Sequence, residues 1–172
     1  GRGRPLVFIH GLGCASTQDY PAVCASPALQ GRRALLVDLL GFGQSHRPDD
    51  ADYRIAAHRQ RMIELLDHLK LDEFDLFAHS MGGGIAIEVA TALGPRVRHL
   101  LLSEPNLDPG GGIFSRAIAA MGEAAYLRAG HARMVKQARE TGSAAWAATM
   151  EQAAPIAVFK SAVSLVEGSS PT

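Results

Sequence analysis

The sequence predicts an α/β fold: a parallel sheet with flanking helices, followed by a helical remainder. Three observations carry that expectation. Four short apolar runs, at 6–9, 34–37, 74–79 and 97–102, have the length and composition of buried strands. The longer stretches between them are helix-prone, and strand–helix alternation favours parallel strands joined by crossovers. Finally, His10, Asp38, Ser80 and Glu104 each follow the end of one run, at the carboxyl edge where such sheets bind ligands.

Taken in order, the first run (LVFI) ends at the turn HGLG, and residues 19–29 read as a short helix interrupted by prolines. The second run (ALLV) leads through Asp38 into an irregular loop marked by Gly41, Gly43 and Pro48. From Ile55 to Leu69, apolar residues at 55, 62, 63, 65, 66 and 69 give an amphipathic helix. Its charged positions, Arg59, Arg61, Glu64 and Asp67, form a solvated face. The third run stops at Ser80, and a helix over 81–93 ends at Gly94-Pro95. The fourth run closes at LLLSEP. The predicted spatial order of the strands is second, first, third, fourth.

Beyond Pro105 the composition shifts. Residues 106–112 (NLDPGGG) read as a flexible hinge, and residues 113–166 are alanine-rich and helix-prone. The expected division is therefore 1–105 for the α/β core and 106–172 for the hinge and helical region. Seventeen basic and seventeen acidic residues cancel, and without a basic run nucleic acid is not an expected partner. No apolar stretch reaches the roughly 18 residues that span a bilayer. The N-terminal apolar run is a strand and not a signal peptide, so a cytoplasmic protein is expected. Cys14 and Cys24 are expected as free thiols, and neither belongs to a metal-ligand set. No cofactor is implied.

The stretch DLFAHSMGGG carries the chemistry. A strand that stops at a serine, followed at once by glycines and a helix, is the layout of a nucleophile elbow. The serine there sits at strained backbone angles, so its neighbours two positions away must be small; Ala78 and Gly82 are. The following helix points free N–H groups and its positive dipole end at whatever Ser80 attacks. Acyl transfer also needs donors for the oxyanion, and the HGLG turn can supply one beside the N–H that follows the serine.

Together VFIHGLG, DLLGFGQS and AHSMGGG resemble the α/β-hydrolase superfamily, serine-nucleophile branch, over about residues 3–108. Two positions depart from its usual pattern: Ala78 stands for glycine and Leu40 for proline. The resemblance implies Ser80 as nucleophile and the backbone N–H groups of Leu12 and Met81 as the oxyanion hole. It also implies that the core holds strands 3–6 of the family fold and that 106–172 forms a water-excluding cap. Both sheet edges and the family's histidine region fall outside these residues on that correspondence, and the open edges predict self-association.

A serine hydroxyl needs a positioned base. Seven histidines are present. His10 is expected to brace the oxyanion turn, and His79, on a strand beside Ser80, to point into packing. His58, His68 and His99 read as ordinary surface or core residues; His46 and His131 are weak candidates for the mouth. Glu104 is the one candidate acid, with a loop- or histidine-binding role favoured, and Asp38 is expected to hold its turn. The leading expectation is a serine hydrolase acting on a small ester, thioester or lactone through an acyl-enzyme, with its histidine outside this segment. The alternative is a non-catalytic small-molecule binding protein of the same fold.

Overall fold

The computed structural model describes residues 3–168. Four parallel strands form the sheet: β1 (Leu6–Ile9), β2 (Ala34–Val37), β3 (Phe74–His79) and β4 (Val97–Ser103), in the order β2-β1-β3-β4. This is the predicted order. In β1 all four residues are buried, as expected of a strand with parallel neighbours and both faces covered. Val7 and Ile9 face the larger core, with Leu76 and Ala78 from β3, whereas Leu6 and Phe8 face a smaller one closed by Tyr20. That alternation is the period of two of a pleated strand. Strand β4 is the most exposed of the four, with Leu101 and Leu102 open to solvent.

Between β1 and β2 the single short helix read from 19–29 is replaced by three brief pieces: α1 (Ser16–Asp19), α2 (Pro21–Cys24) and a 3₁₀ turn, Pro27–Leu29. Pro21 and Pro27 each sit at a first helical position, where the missing N–H costs nothing, so each restarts the chain instead of continuing the previous turn. Helix α3 (Ile55–His68) buries Ile55, His58, Met62 and Leu66, and α4 (Met81–Leu93) buries Met81, Ile85, Ala86 and Val89 against the sheet.

After β4 the chain is helical: α5 (Ile113–Ala120), α6 (Glu123–Ala125), a π-helical turn at Tyr126–Gly130, α7 (His131–Glu140), α8 (Ala144–Gln152) and α9 (Pro155–Glu167). The flexible hinge expected at 106–112 is instead a fastened loop. The Asn106 N–H donates to the Ser80 carbonyl at 3.2 Å and the Gly110 N–H to the Val166 carbonyl at 3.0 Å. Turn residues gave the loop its shape, and long-range partners hold it.

The helical segment is also tied to the loops at the strand ends. The Ala154 N–H donates to the Gly41 carbonyl at 2.8 Å, and Arg47 Nε donates to the Gln152 carbonyl at 2.7 Å. At the seam between α3 and α9, the Ser164 hydroxyl accepts the Ile55 N–H at 3.1 Å, and the Ser161 hydroxyl donates to the Tyr53 carbonyl at 2.8 Å. With its only proton committed, Ser161 accepts from His58 Nε2 at 3.2 Å, which leaves the buried His58 Nδ1 without a partner among the described residues. Burial pushes the His58 imidazole down to about 3, so it is neutral.

Candidate active site

Ser80 lies between the last residue of β3 and the first of α4, with φ 52° and ψ −119°. Only a few non-glycine residues adopt a positive φ, and here the surroundings hold it. The Ser80 N–H donates to the Ser103 carbonyl at 3.0 Å, and its own carbonyl accepts the N–H groups of Gly83 and Asn106 at 2.8 and 3.2 Å. The tight turn brings α4 onto the end of β1. A Cβ built on Gly82 would lie 2.5 Å from the His10 carbonyl oxygen and 2.6 Å from that of Ile9, so no larger residue fits. The smallness read from the sequence thus has a definite obstacle behind it: backbone, which cannot step aside.

Of the two expected oxyanion donors, Met81 follows Ser80 directly and Leu12 lines the same cavity as Ser80. Met81 is the first residue of α4, where no earlier helical carbonyl can take its N–H. The Leu12 N–H has no backbone acceptor among the described residues. The loop bearing Leu12 is braced by His10, as expected: its Nε2 accepts the Leu39 N–H at 3.0 Å, so Nδ1 carries the proton and donates to the Gly11 carbonyl at 2.8 Å. Complete burial holds His10 below its ordinary pKa, against the upward pull of the Gly11 carbonyl. Asp38 holds its turn as expected, accepting from the Thr17 hydroxyl at 2.6 Å and from the Thr17 and Gln44 N–H groups at 3.0 and 2.8 Å.

A cavity of about 320 Å³ opens over Ser80. Its apolar wall includes Leu12, Ile113, Phe114, Trp146 and Leu165, and its polar side is formed by His79, Glu104 and Asn106. The rings of Phe114 and Trp146 stack with centroids 4.8 Å apart. Asn106 was not singled out from the sequence, yet its Oδ1 accepts from Ser80 Oγ at 3.3 Å. The one clue was its place two residues after Glu104, just beyond a strand end. His79 departs from expectation: it lines the cavity instead of packing inward, and its Nε2 lies 3.9 Å from the Glu104 carboxylate. It is the last residue of β3, paired with Ser103 at the carboxyl edge of the sheet where the cavity opens. Glu104 itself has φ 46° and an almost fully exposed side chain.

No histidine among the described residues is hydrogen-bonded to Ser80 Oγ. His131, a weak candidate for the mouth, is buried within the helical segment. Its Nε2 donates to the Met150 carbonyl at 3.0 Å and its Nδ1 accepts the Tyr126 hydroxyl at 2.9 Å. His46 is exposed on the loop after β2, away from the Ser80 cavity. His99 pairs with Asp75 at 3.0 Å at the opposite end of the sheet. Cys14 lines the cavity but is a poor nucleophile, because burial and nearby Asp19 push its thiol up to about 12.

The family model described as alpha/beta hydrolase fold matches residues 4–126. The chain belongs to this family. Among curated relatives it is 38% identical to the 2-hydroxymuconate semialdehyde hydrolase of Pseudomonas putida, over 59% of this chain and 36% of that protein. It is 37% identical to Lipase 1 of Psychrobacter immobilis, over 58% of this chain and 31% of that one. The matched region thus spans about a third of these relatives' length. Among solved structures, an esterase from Exiguobacterium antarcticum superposes with a TM-score of 0.80 at 21% identity, covering 96% of this chain and 67% of the esterase. An N-acyl homoserine lactonase in complex with N-hexanoyl homoserine gives 0.74 at 22%, covering 98% of this chain and 64% of the lactonase. At those identities the structures establish a shared fold. No helix among the described residues is long and apolar enough to cross a membrane.

Proposed function

We propose that this chain carries the nucleophile and oxyanion hole of a serine hydrolase acting on small uncharged esters, thioesters or lactones. The observation that carries the reading is Ser80 at φ 52°, held at the head of α4 under a cavity walled by apolar side chains. Ser80 Oγ attacks the acyl carbon and its proton passes to a general base. The Leu12 and Met81 N–H groups stabilise the oxyanion. The alkoxide or thiolate leaves with the proton, and water then releases the acid from the acyl-serine. The base is assigned to protein outside the described residues, since none of the histidines within them bonds to Ser80. On this reading α5–α9 serve as the cap.

The named activities of the relatives and neighbours, on semialdehydes, lipids, esters and a lactone, fit acyl chemistry in general. Charge narrows the choice. No Lys or Arg lines the cavity among the described residues, and Glu104 stands at it. A carboxylate-bearing substrate, of the kind named for the related 2-hydroxy-6-oxo-2,4-heptadienoate hydrolase, would enter without a cation to pair with. A neutral acyl group avoids that cost.

The test is labelling of the intact protein with a fluorophosphonate, together with hydrolysis of p-nitrophenyl butyrate. Stoichiometric labelling that maps to Ser80, lost in Ser80→Ala, is the expected result. Unchanged turnover in Ser80→Ala overturns it. Ligand binding without any labelling would instead identify a non-catalytic binding protein.

A further inference from the structure

We propose that Trp146, on helix α8, is a positioning residue for the Leu12 oxyanion donor. The inference rests on the reading of the Leu12 N–H given above and adds the device that aims it. The Leu12 N–H lies in the planar peptide unit that runs from Gly11 Cα to Leu12 Cα, so its direction is held when the carbonyl of that unit is pinned and its Leu12 end is anchored by the unit that follows. The first unit pairs the Gly11 carbonyl with the Leu12 N–H. That carbonyl accepts from His10 Nδ1 at 2.8 Å and from the Cys14 N–H at 3.1 Å. In a trans peptide the C=O and N–H point in opposite directions, so pinning the carbonyl on one side turns the Leu12 N–H to the other.

The second unit pairs the Leu12 carbonyl with the Gly13 N–H. Its anchor comes from 134 residues away: Trp146 Nε1 donates to the Leu12 carbonyl at 3.1 Å. One turn along α8, Met150 closes over Gly13, where an added Cβ would lie 2.1 Å from the methionine sulfur at φ +71°. Positions 146 and 150 share a helix face, so α8 grips the loop at two successive residues. His10 fixes the loop from the core and Trp146 fixes it from the helical segment. The Trp146 ring also forms the cavity wall with Phe114, where an acyl chain would lie. Occupancy of the cavity and orientation of the donor are therefore coupled through one side chain.

Trp146 is the only tryptophan in these 172 residues, and its indole N–H signal in a ¹H–¹⁵N spectrum is assigned by its loss in Trp146→Phe. The expected result is an indole proton that exchanges slowly with solvent. Trp146→Phe, which keeps a ring against Phe114, should shift the Leu12 and Gly13 amide signals and leave those of Val7 and Phe8 in place. In p-nitrophenyl butyrate hydrolysis kcat should fall roughly three- to tenfold with KM within about twofold, the scale of one lost hydrogen bond. An indole proton exchanging at the free rate, or a variant with unchanged kcat and raised KM, overturns the proposal and leaves Trp146 as wall only. If the wild-type protein hydrolyses no ester, the functional reading fails. Indole exchange and the Leu12 shift then still decide the strap.

Discussion

The two halves of the Ser80 site are built in opposite ways. Below it, the end of β4, the loop that follows and the head of α4 hold Ser80 through backbone hydrogen bonds of about 3 Å, beside the buried strand β1 and the largely buried β3. Above it, α5–α9 form a roof that presents both exposed residues, Ile113 and Phe114, and buried ones, Ser115 and Leu165, to the cavity. The roof reaches the loops at the strand ends through isolated bonds: Trp146 to the Leu12 carbonyl, Arg47 to the Gln152 carbonyl and the Ala154 N–H to the Gly41 carbonyl. The difference teaches where change is tolerated: the floor admits no added atom at Gly82, whereas the cavity-lining residues of the roof have room to vary. Four experiments break or sharpen this contrast.

Ser80→Ala has the largest expected effect. Ester turnover should fall by on the order of 10⁴-fold or more, down to what oxyanion donors and binding alone supply. The unfolding transition should be almost unmoved, since among the described residues the Ser80 hydroxyl makes one long bond, to Asn106.

Gly82→Ala tests the floor itself. The new methyl group meets the His10 and Ile9 carbonyls, so the helix head must lift off β1. Urea unfolding should show a loss of about 3 kcal/mol, at the top of the overpacking range. A stability unchanged within error would mean that the floor can yield, and the contrast would collapse.

The third experiment is acid unfolding, which probes the seam. His58, His10 and His131 are all held below their ordinary pKa by burial, His58 to about 3. A base depressed in the folded state leaves the unfolded chain binding more protons, so its contribution is complete above about pH 6.5. It is lost as pH falls from there toward the folded value. Stability should therefore decline between about pH 6.5 and 4, with a slope approaching 1.4 kcal/mol per pH unit for His58 and a further loss in the same direction from His10 and His131. The carboxylates held low, Asp52 by Arg54 and Asp75 by Arg32, His99 and Arg4 against the cost of its burial, add to the loss only at lower pH. His58→Gln should flatten the histidine window by about one proton. A flat profile down to pH 4 would contradict the burial described.

Phe114→Ala, in the roof, should have the smallest effect. The ring is mostly exposed and its one aromatic partner is Trp146, so melting should shift by no more than the equivalent of about 1 kcal/mol. KM for longer acyl chains should rise a few-fold while kcat holds. Loss of kcat instead would move Phe114 from wall to machinery.

Much of the floor was legible in the sequence because it repeats local rules. Short apolar runs gave β1 to β4, and strand–helix alternation gave their parallel order. The serine followed by small residues gave the elbow, because the turn at Ser80 leaves space for nothing larger at Gly82. The bracing role of His10 also followed from its place in the HGLG turn. Three features needed the tertiary structure. Asn106 reaches Ser80 only because β4 lies beside β3, a pairing that also fastens a loop whose composition reads as a free hinge. His79 lines the cavity at the carboxyl edge of the sheet, which alternation along the strand does not reveal. Trp146 finds Leu12 across 134 residues, from an alanine-rich segment whose aromatic residues look alike in sequence. Sequence by itself therefore determined the strands, the turn that carries Ser80 and the family, since these depend on neighbours along the chain. Only the fold decided which polar groups converge on Ser80 and which roof residue grips the Leu12 loop, because a directional hydrogen bond exists only once both partners have been brought within about 3 Å.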